Sequence, residues 1–179
     1  MKVLVAVFIL CVPLMAQSQT PKVLAACGDA NVDLSVDLDK KTHDMAAPQP
    51  DQAVVYFIQE TGLTINIAYP TTKVGLDGKW IGANKKNSYF SFNVAPGEHH
   101  LCVAIQSSIV HEDGELLHFT AEAGKAYYFR TRILWGKDVP QYLNVSPVDS
   151  DEAGYLIQSY PLARLHVAQR RAPAPGRTN

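Results

Sequence analysis

The sequence predicts a mainly β domain, a two-layer antiparallel β-sandwich with one short C-terminal helix. Three observations lead there. Short apolar segments, about nine in all, are separated by Gly, Pro, Asn and Asp turn residues along most of the chain. Asp77-Gly78 sits between two apolar runs, where a two-residue loop suits the type I′ turn of an antiparallel hairpin. Only from Asp149 does the spacing of apolar residues become helical.

The ends of the 179-residue chain carry a different message. Lys2, the apolar run from Val3 to Met15 and the small-residue site Ala16-Gln17-Ser18 have the order of a secretory signal peptide, and the run is too short to cross a bilayer. Residues 1–18 are therefore expected to direct export, 19–26 to form a flexible lead, 27–167 to fold as one domain, and 168–179 to be a disordered basic Pro/Arg tail. No later segment is apolar enough for a transmembrane helix. The expected address is periplasmic, envelope-associated or secreted. Cleavage removes Cys11 and leaves Cys27 and Cys102, an even pair that should form a disulfide in an oxidising compartment. A rival reading takes Leu24-Ala25-Ala26-Cys27 as a lipobox, with a lipid anchor on Cys27. Against it, the polar stretch Gln17–Lys22 separates that box from the apolar run.

Taken in order, Val32, Leu34, Val36 and Leu38 alternate with Asp33, Ser35, Asp37 and Asp39, a strand with one buried and one acidic face. Lys40 to Gln52 contains Pro48 and Pro50 and reads as a loop. Ala53 to Gln59 is a continuous β-branched and aromatic run, expected as a central strand. Leu63 to Tyr69 alternates and is expected as another. Across the Asp77-Gly78 turn, simple register pairs Leu76 with Lys79, Gly75 with Trp80 and Val74 with Ile81, leaving Trp80 on the face away from the core. Phe90, Phe92 and Val94 then share one strand face, and Tyr89, Ser91 and Asn93 the other. After the Pro96-Gly97 turn, Leu101, Val103 and Ile105 alternate with Cys102 and Ala104. Cys102 should thus point away from the core, where an amino-terminal segment lying across the sheet would reach it.

Glu112-Asp113-Gly114 reads as a loop tip, and Leu116–Ala121 as a strand. Gly124-Lys125 turns the chain into Ala126–Leu134, with Tyr128, Arg130, Arg132 and Leu134 on one face. Trp135 to Asp138 is expected as a loop, with brief pairing at Tyr142–Val145. Asp149, Asp151 and Glu152 form an acidic first turn before Ala153, Leu156, Ile157 and Tyr160, a short helix capped by Asp149 or Ser150 and ended by Pro161.

Val74-Gly-Leu-Asp-Gly-Lys-Trp-Ile-Gly followed by Val94-Ala-Pro-Gly-Glu-His-His-Leu resembles PEGA-type domains. More widely, the chain is similar to a group of exported bacterial domains of unknown function. That group joins an early Cys-Gly, here Cys27-Gly28, to a His-His-Leu-Cys, here His99–Cys102, with a Phe119–Arg130 stretch and a Pro147–Glu152 helix start. The resemblance implies an extracytoplasmic β-sandwich and carries over no catalytic residues.

Charge and side-chain chemistry narrow the function. From Gln19 to Glu152 there are 11 Lys and Arg against 17 Asp and Glu, whereas Arg164, Arg170, Arg171 and Arg177 follow. No basic stripe interleaved with aromatics appears, so nucleic acid is not an expected partner. His99, His100, His111 and His118 are the only grouping that suggests a metal, yet His99 and His100 should point to opposite faces of a strand, and no His-x-His or Cys-x-x-Cys anchors a first ligand pair. Ser88, Ser91 and Ser107 lie in no Gly-x-Ser-x-Gly elbow. The expected function is a non-catalytic module without a cofactor, binding an envelope protein or a glycan near Trp80 and Tyr89. The alternative is an exported protein that binds a small ligand or metal through the histidines. Trp80 also has a structural reading, as cover for Gly75 roofed by the amino-terminal segment or the helix. Arg130 and Arg132 are expected to pair with Asp33 and Asp37.

Overall fold

The computed structural model describes residues 27–29, 32–62, 70–106, 114–136 and 139–167. They form two packed sheets and one helix, as the periodicity indicates. Sheet A has six strands in the order β1-β10-β5-β2-β8-β9, and sheet B four in the order β4-β3-β6-β7. In chain order these are β1 (Leu34–Asp39), β2 (Ala53–Thr61), β3 (Thr71–Leu76), β4 (Lys79–Lys85), β5 (Ser88–Val94), β6 (Gly97–Gln106), β7 (Gly114–Ala121), β8 (Ala126–Gly136) and β9 (Val139–Pro147), then helix α1 (Ser150–Ser159) and β10 (Leu162–Val167). The signal peptide, lead and tail, the Leu63–Tyr69 strand, His111 and the Glu112-Asp113 tip lie outside the described residues.

β2 sits at the centre because its sequence leaves it no wet face. Ala53, Val55 and Phe57 point into the space between the sheets, joining Val74, Phe90, Val94, Leu101, Val103 and Phe129. Val54, Tyr56 and Ile58 point the other way, under Ala153, Leu156 and Ile157 of α1. Burial on both faces is the usual setting of parallel pairing, and β2 runs parallel to β8, which the chain reaches only after building sheet B. β10 likewise meets β5 in parallel. Sheet A is therefore mixed, where wholly antiparallel pairing was expected. Asp149 caps α1, its carboxylate accepting the backbone N–H groups of Asp151 and Glu152 at 2.9 and 2.8 Å.

Three other expectations are corrected. A bulge between Val74 and Gly75 pairs Val74 with Gly82 and not with Ile81. β8 continues through Gly136, where a loop was expected from Trp135, because β9, longer than the brief pairing expected, supplies partners as far as Val139. Leu162–Val167, to which no element was assigned above, is also a strand. Its basic side chains meet the acidic face of β1: Arg164 Nη2 lies 2.8 Å from Asp39 Oδ2, and His166 Nδ1 lies 3.2 Å from Asp37 Oδ2. Because β10 takes that place beside β1, Arg130 and Arg132 find other carboxylates. Arg130 pairs with Glu152 and, at 3.7 Å, with Glu60, and Arg132 with Glu60 at 3.0 Å.

Candidate functional site

The outer face of sheet B is where the amino-terminal segment lands. Cys27 and Cys102 form a disulfide, with their Cα atoms 5.1 Å apart. Gly75, the ladder partner of Cys102, has no side chain because the Cys27 carbonyl occupies that space: a Cβ there would lie 2.4 Å from it. Trp80 lies against Gly28, and its indole N–H donates to the Asp29 carbonyl at 2.8 Å. Lys73, almost fully buried, donates from Nζ to the Val32 carbonyl at 3.3 Å and sits 4.5 Å from the centre of the Trp80 ring. Gln106 accepts the Leu34 N–H and donates to the Leu34 carbonyl. Trp80 is thus half-buried under the amino-terminal segment, but the glycine it covers is Gly28, and Gly75 is covered by the Cys27 carbonyl.

Tyr89 does not join it. The chain passes from sheet B to sheet A between β4 and β5, with Lys86 at φ 59° and the Lys85 N–H donating to Ser88 Oγ at 3.2 Å. The outward faces of these two strands consequently point in opposite directions. Tyr89 is 1% exposed, packed on the α1 side, and its hydroxyl donates to the Thr42 carbonyl at 3.3 Å. Burial, with the Asp44 and Asp39 charges adding to it, pushes the phenol above its ordinary pKa. The expectation of one surface shared by Trp80 and Tyr89 is corrected on this ground.

The histidines divide as the strand alternation requires. His99 closes a clamp between two turns: Nδ1 donates to Asp77 Oδ2 at 2.7 Å and Nε2 donates to the Ala95 carbonyl at 2.8 Å. Asp77 Oδ1 accepts the His100 N–H at 2.9 Å, and the Asp77 N–H donates to the His100 carbonyl. Both ring nitrogens of His99 face oxygen acceptors, which suits the imidazolium. Burial draws its pKa down, but the Ala95 carbonyl and the Asp77 carboxylate outweigh it and hold it above 6.5. For Asp77 burial acts upward, and the bonds from His100 and His99 outweigh it and hold the carboxyl below 3.8. His100 faces His118 across β6 and β7, ring centres 6.5 Å apart. Among the described residues, no group of three His, Cys, Asp or Glu side chains could hold a metal.

A cleft of about 500 Å³ opens where β10 leaves β5, lined by Ile81, Gly82, Ala83, Phe90, Ser91 and Leu162–Leu165. Its floor needs a glycine, since a Cβ on Gly82 would lie 2.2 Å from Phe90 Cε2. β5 and β10 pair only at Tyr89 and Leu162, where the Tyr89 N–H donates to the Pro161 carbonyl at 3.1 Å. By the strand's alternation, the backbone groups of Ser91 and Asn93 point to the same side. Among the described residues no ladder partner takes them up. Sequence reasoning missed this cleft because one wall, β10, was unforeseen. A glycine inside a strand was the available sign of close approach.

No curated protein and no solved structure matches the chain. Residues 49–144, more than half of the chain and the stretch that runs from just before β2 into β9, match the family described as "Protein of unknown function (DUF2846)". The chain belongs to the DUF2846 family of proteins of unknown function.

Proposed function

We propose that this protein is an exported, non-catalytic binding module that captures an extended segment of an envelope protein in the cleft between β5 and β10. The observation that carries the reading is the open strand edge at Ser91 and Asn93 above the Gly82 floor. Unpaired N–H and C=O groups are a template for an added strand, with main-chain hydrogen bonds supplying affinity and alternate side chains supplying selectivity. The signal-like amino terminus, the Cys27–Cys102 bridge and the likeness of the Asp77-Gly78 and Pro96-Gly97 turns to PEGA-type domains support an extracytoplasmic setting. A protein is preferred over a glycan because the ring best suited to stacking on sugar, Trp80, already has Lys73 over it and Gly28 against it.

A displayed library of linear peptides, panned on the disulfide-intact protein, tests the proposal. Ser91→Pro removes an N–H that no ladder partner among the described residues uses and blocks strand addition at that position. Peptides selected by the unaltered protein are expected to lose at least about tenfold in affinity for Ser91→Pro, with its melting temperature close to normal, and Leu165→Glu at the opposite wall should weaken them too. Failure to enrich any linear peptide, or full binding by both variants, would refute the reading.

A further inference from the structure

Among the described residues, four side-chain oxygen atoms near one end of the space between the sheets have no hydrogen-bond partner: Gln59 Oε1, Thr72 Oγ1, Asn84 Oδ1 and Thr131 Oγ1. All four side chains are fully buried. The ladders bring them together. Gln59 and Thr131 are partners on β2 and β8, two residues beyond the core-facing Phe57 and Phe129. Thr72 and Asn84 are partners on β3 and β4, with Thr72 two residues before the core-facing Val74. Asn84 Nδ2 donates across the sandwich to the Phe57 carbonyl at 3.1 Å, which brings the pair on sheet B against the strand that carries Gln59.

Each amide has one N–H engaged, Asn84 as above and Gln59 with Thr61 Oγ1 at 3.4 Å. The four unpartnered atoms are two oxygens that only accept and two hydroxyls that donate or accept. Buried polar atoms of native proteins are nearly always satisfied, by water or a ligand where the chain does not supply a partner. The character of these four atoms narrows the guest. Divalent cations favour carboxylate ligands, and the quartet has none. A monovalent cation would be buried without a counter-charge among these side chains, at large desolvation cost.

We propose that this seam binds a small neutral guest rich in O–H or N–H donors, either ordered water or a neutral organic molecule with such groups. The site is independent of the cleft at β5 and β10 and of the function proposed for it. Thr72→Val and Thr131→Val each replace a hydroxyl by a methyl of nearly the same volume, so they test occupancy with little change in packing. With a guest present, each removes one of its bonds, and the melting temperature is expected to fall by several degrees. A melting temperature that stays level or rises, as removal of a truly unpaired buried hydroxyl would cause, overturns the proposal. Two measurements on the unaltered protein identify the guest and need no variant to fold. A stoichiometric neutral molecule released on denaturation and seen by mass spectrometry means the organic guest, and long-lived internal water in oxygen-17 relaxation dispersion means water. Neither signal in properly folded protein also overturns the proposal.

Discussion

The two outward faces of the sandwich are covered by different physics. On sheet A, α1 lays Ala153, Leu156 and Ile157 over Val54, Tyr56, Ile58 and Tyr89, an ordinary apolar contact reinforced by the Tyr56–Tyr128 stack with ring centres 5.3 Å apart. On sheet B, the described part of the cover, residues 27–29 and 32–34, is held by one disulfide and a few polar pins, from Lys73, Trp80 and Gln106. The first cover is held by area removed from water, and the second by individual bonds. Redox state should therefore act on one face while leaving the other largely in place.

The largest expected effect breaks the sheet B cover outright. The bridge spans 75 positions in sequence, and in the chain-entropy model losing it in a Cys27→Ser/Cys102→Ser variant costs roughly 4 kcal/mol. Equilibrium unfolding in denaturant reads this, and the native circular dichroism of α1 should persist until the global transition. Next comes the sheet A cover. Ile157→Ala leaves a cavity in a fully buried position and should cost about 3 kcal/mol by the same measurement, with no dependence on reductant beyond that of the unaltered protein. Trp80→Phe keeps a ring over Gly28 but loses the indole bond to Asp29, worth about 1 kcal/mol. An effect several times larger would show that the polar pins, more than the disulfide, hold this cover.

The smallest effect is read from pH, at the Asp77–His99 clamp beside the same sheet. The folded pKa of His99 lies above 6.5, so its contribution is fully present below 6.5 and lost as pH rises through the folded value. The folded pKa of Asp77 lies below 3.8, so its contribution is present above 3.8 and lost as pH falls through the folded value. Melting temperatures measured across this range should show the clamp at full strength between those two limits. His99→Gln should flatten the alkaline decline, and an unchanged decline would place its source elsewhere.

How far each face was legible in the sequence follows from the same contrast. Apolar burial leaves a period, so the continuous run in β2, the helix from Asp149 and the outward aim of Cys102 could all be read directly. Polar cover leaves none: Lys73 alternates with core residues exactly as a solvent-facing lysine would, yet it is 1% exposed. Simple register also fails at a bulge, which is why Ile81 was assigned to Val74 when Gly82 takes that place beneath the Phe90 ring. Tyr89 was misplaced because alternation gives the face of a strand but not the sheet to which the strand belongs. The cleft needed β10, whose partners are distant in sequence: β1 pairs with it along an antiparallel ladder from Leu34–Val167 to Asp39–Leu162, and β5 at a single backbone bridge.

Native-state hydrogen exchange with and without reductant tests the difference between the two faces most directly. The account predicts that reduction speeds exchange at the Leu34 amide and the Trp80 indole N–H, while the Tyr56 and Ile58 amides beneath α1 stay protected. Equal loss of protection at all four sites, or none at Leu34 and Trp80, would contradict it.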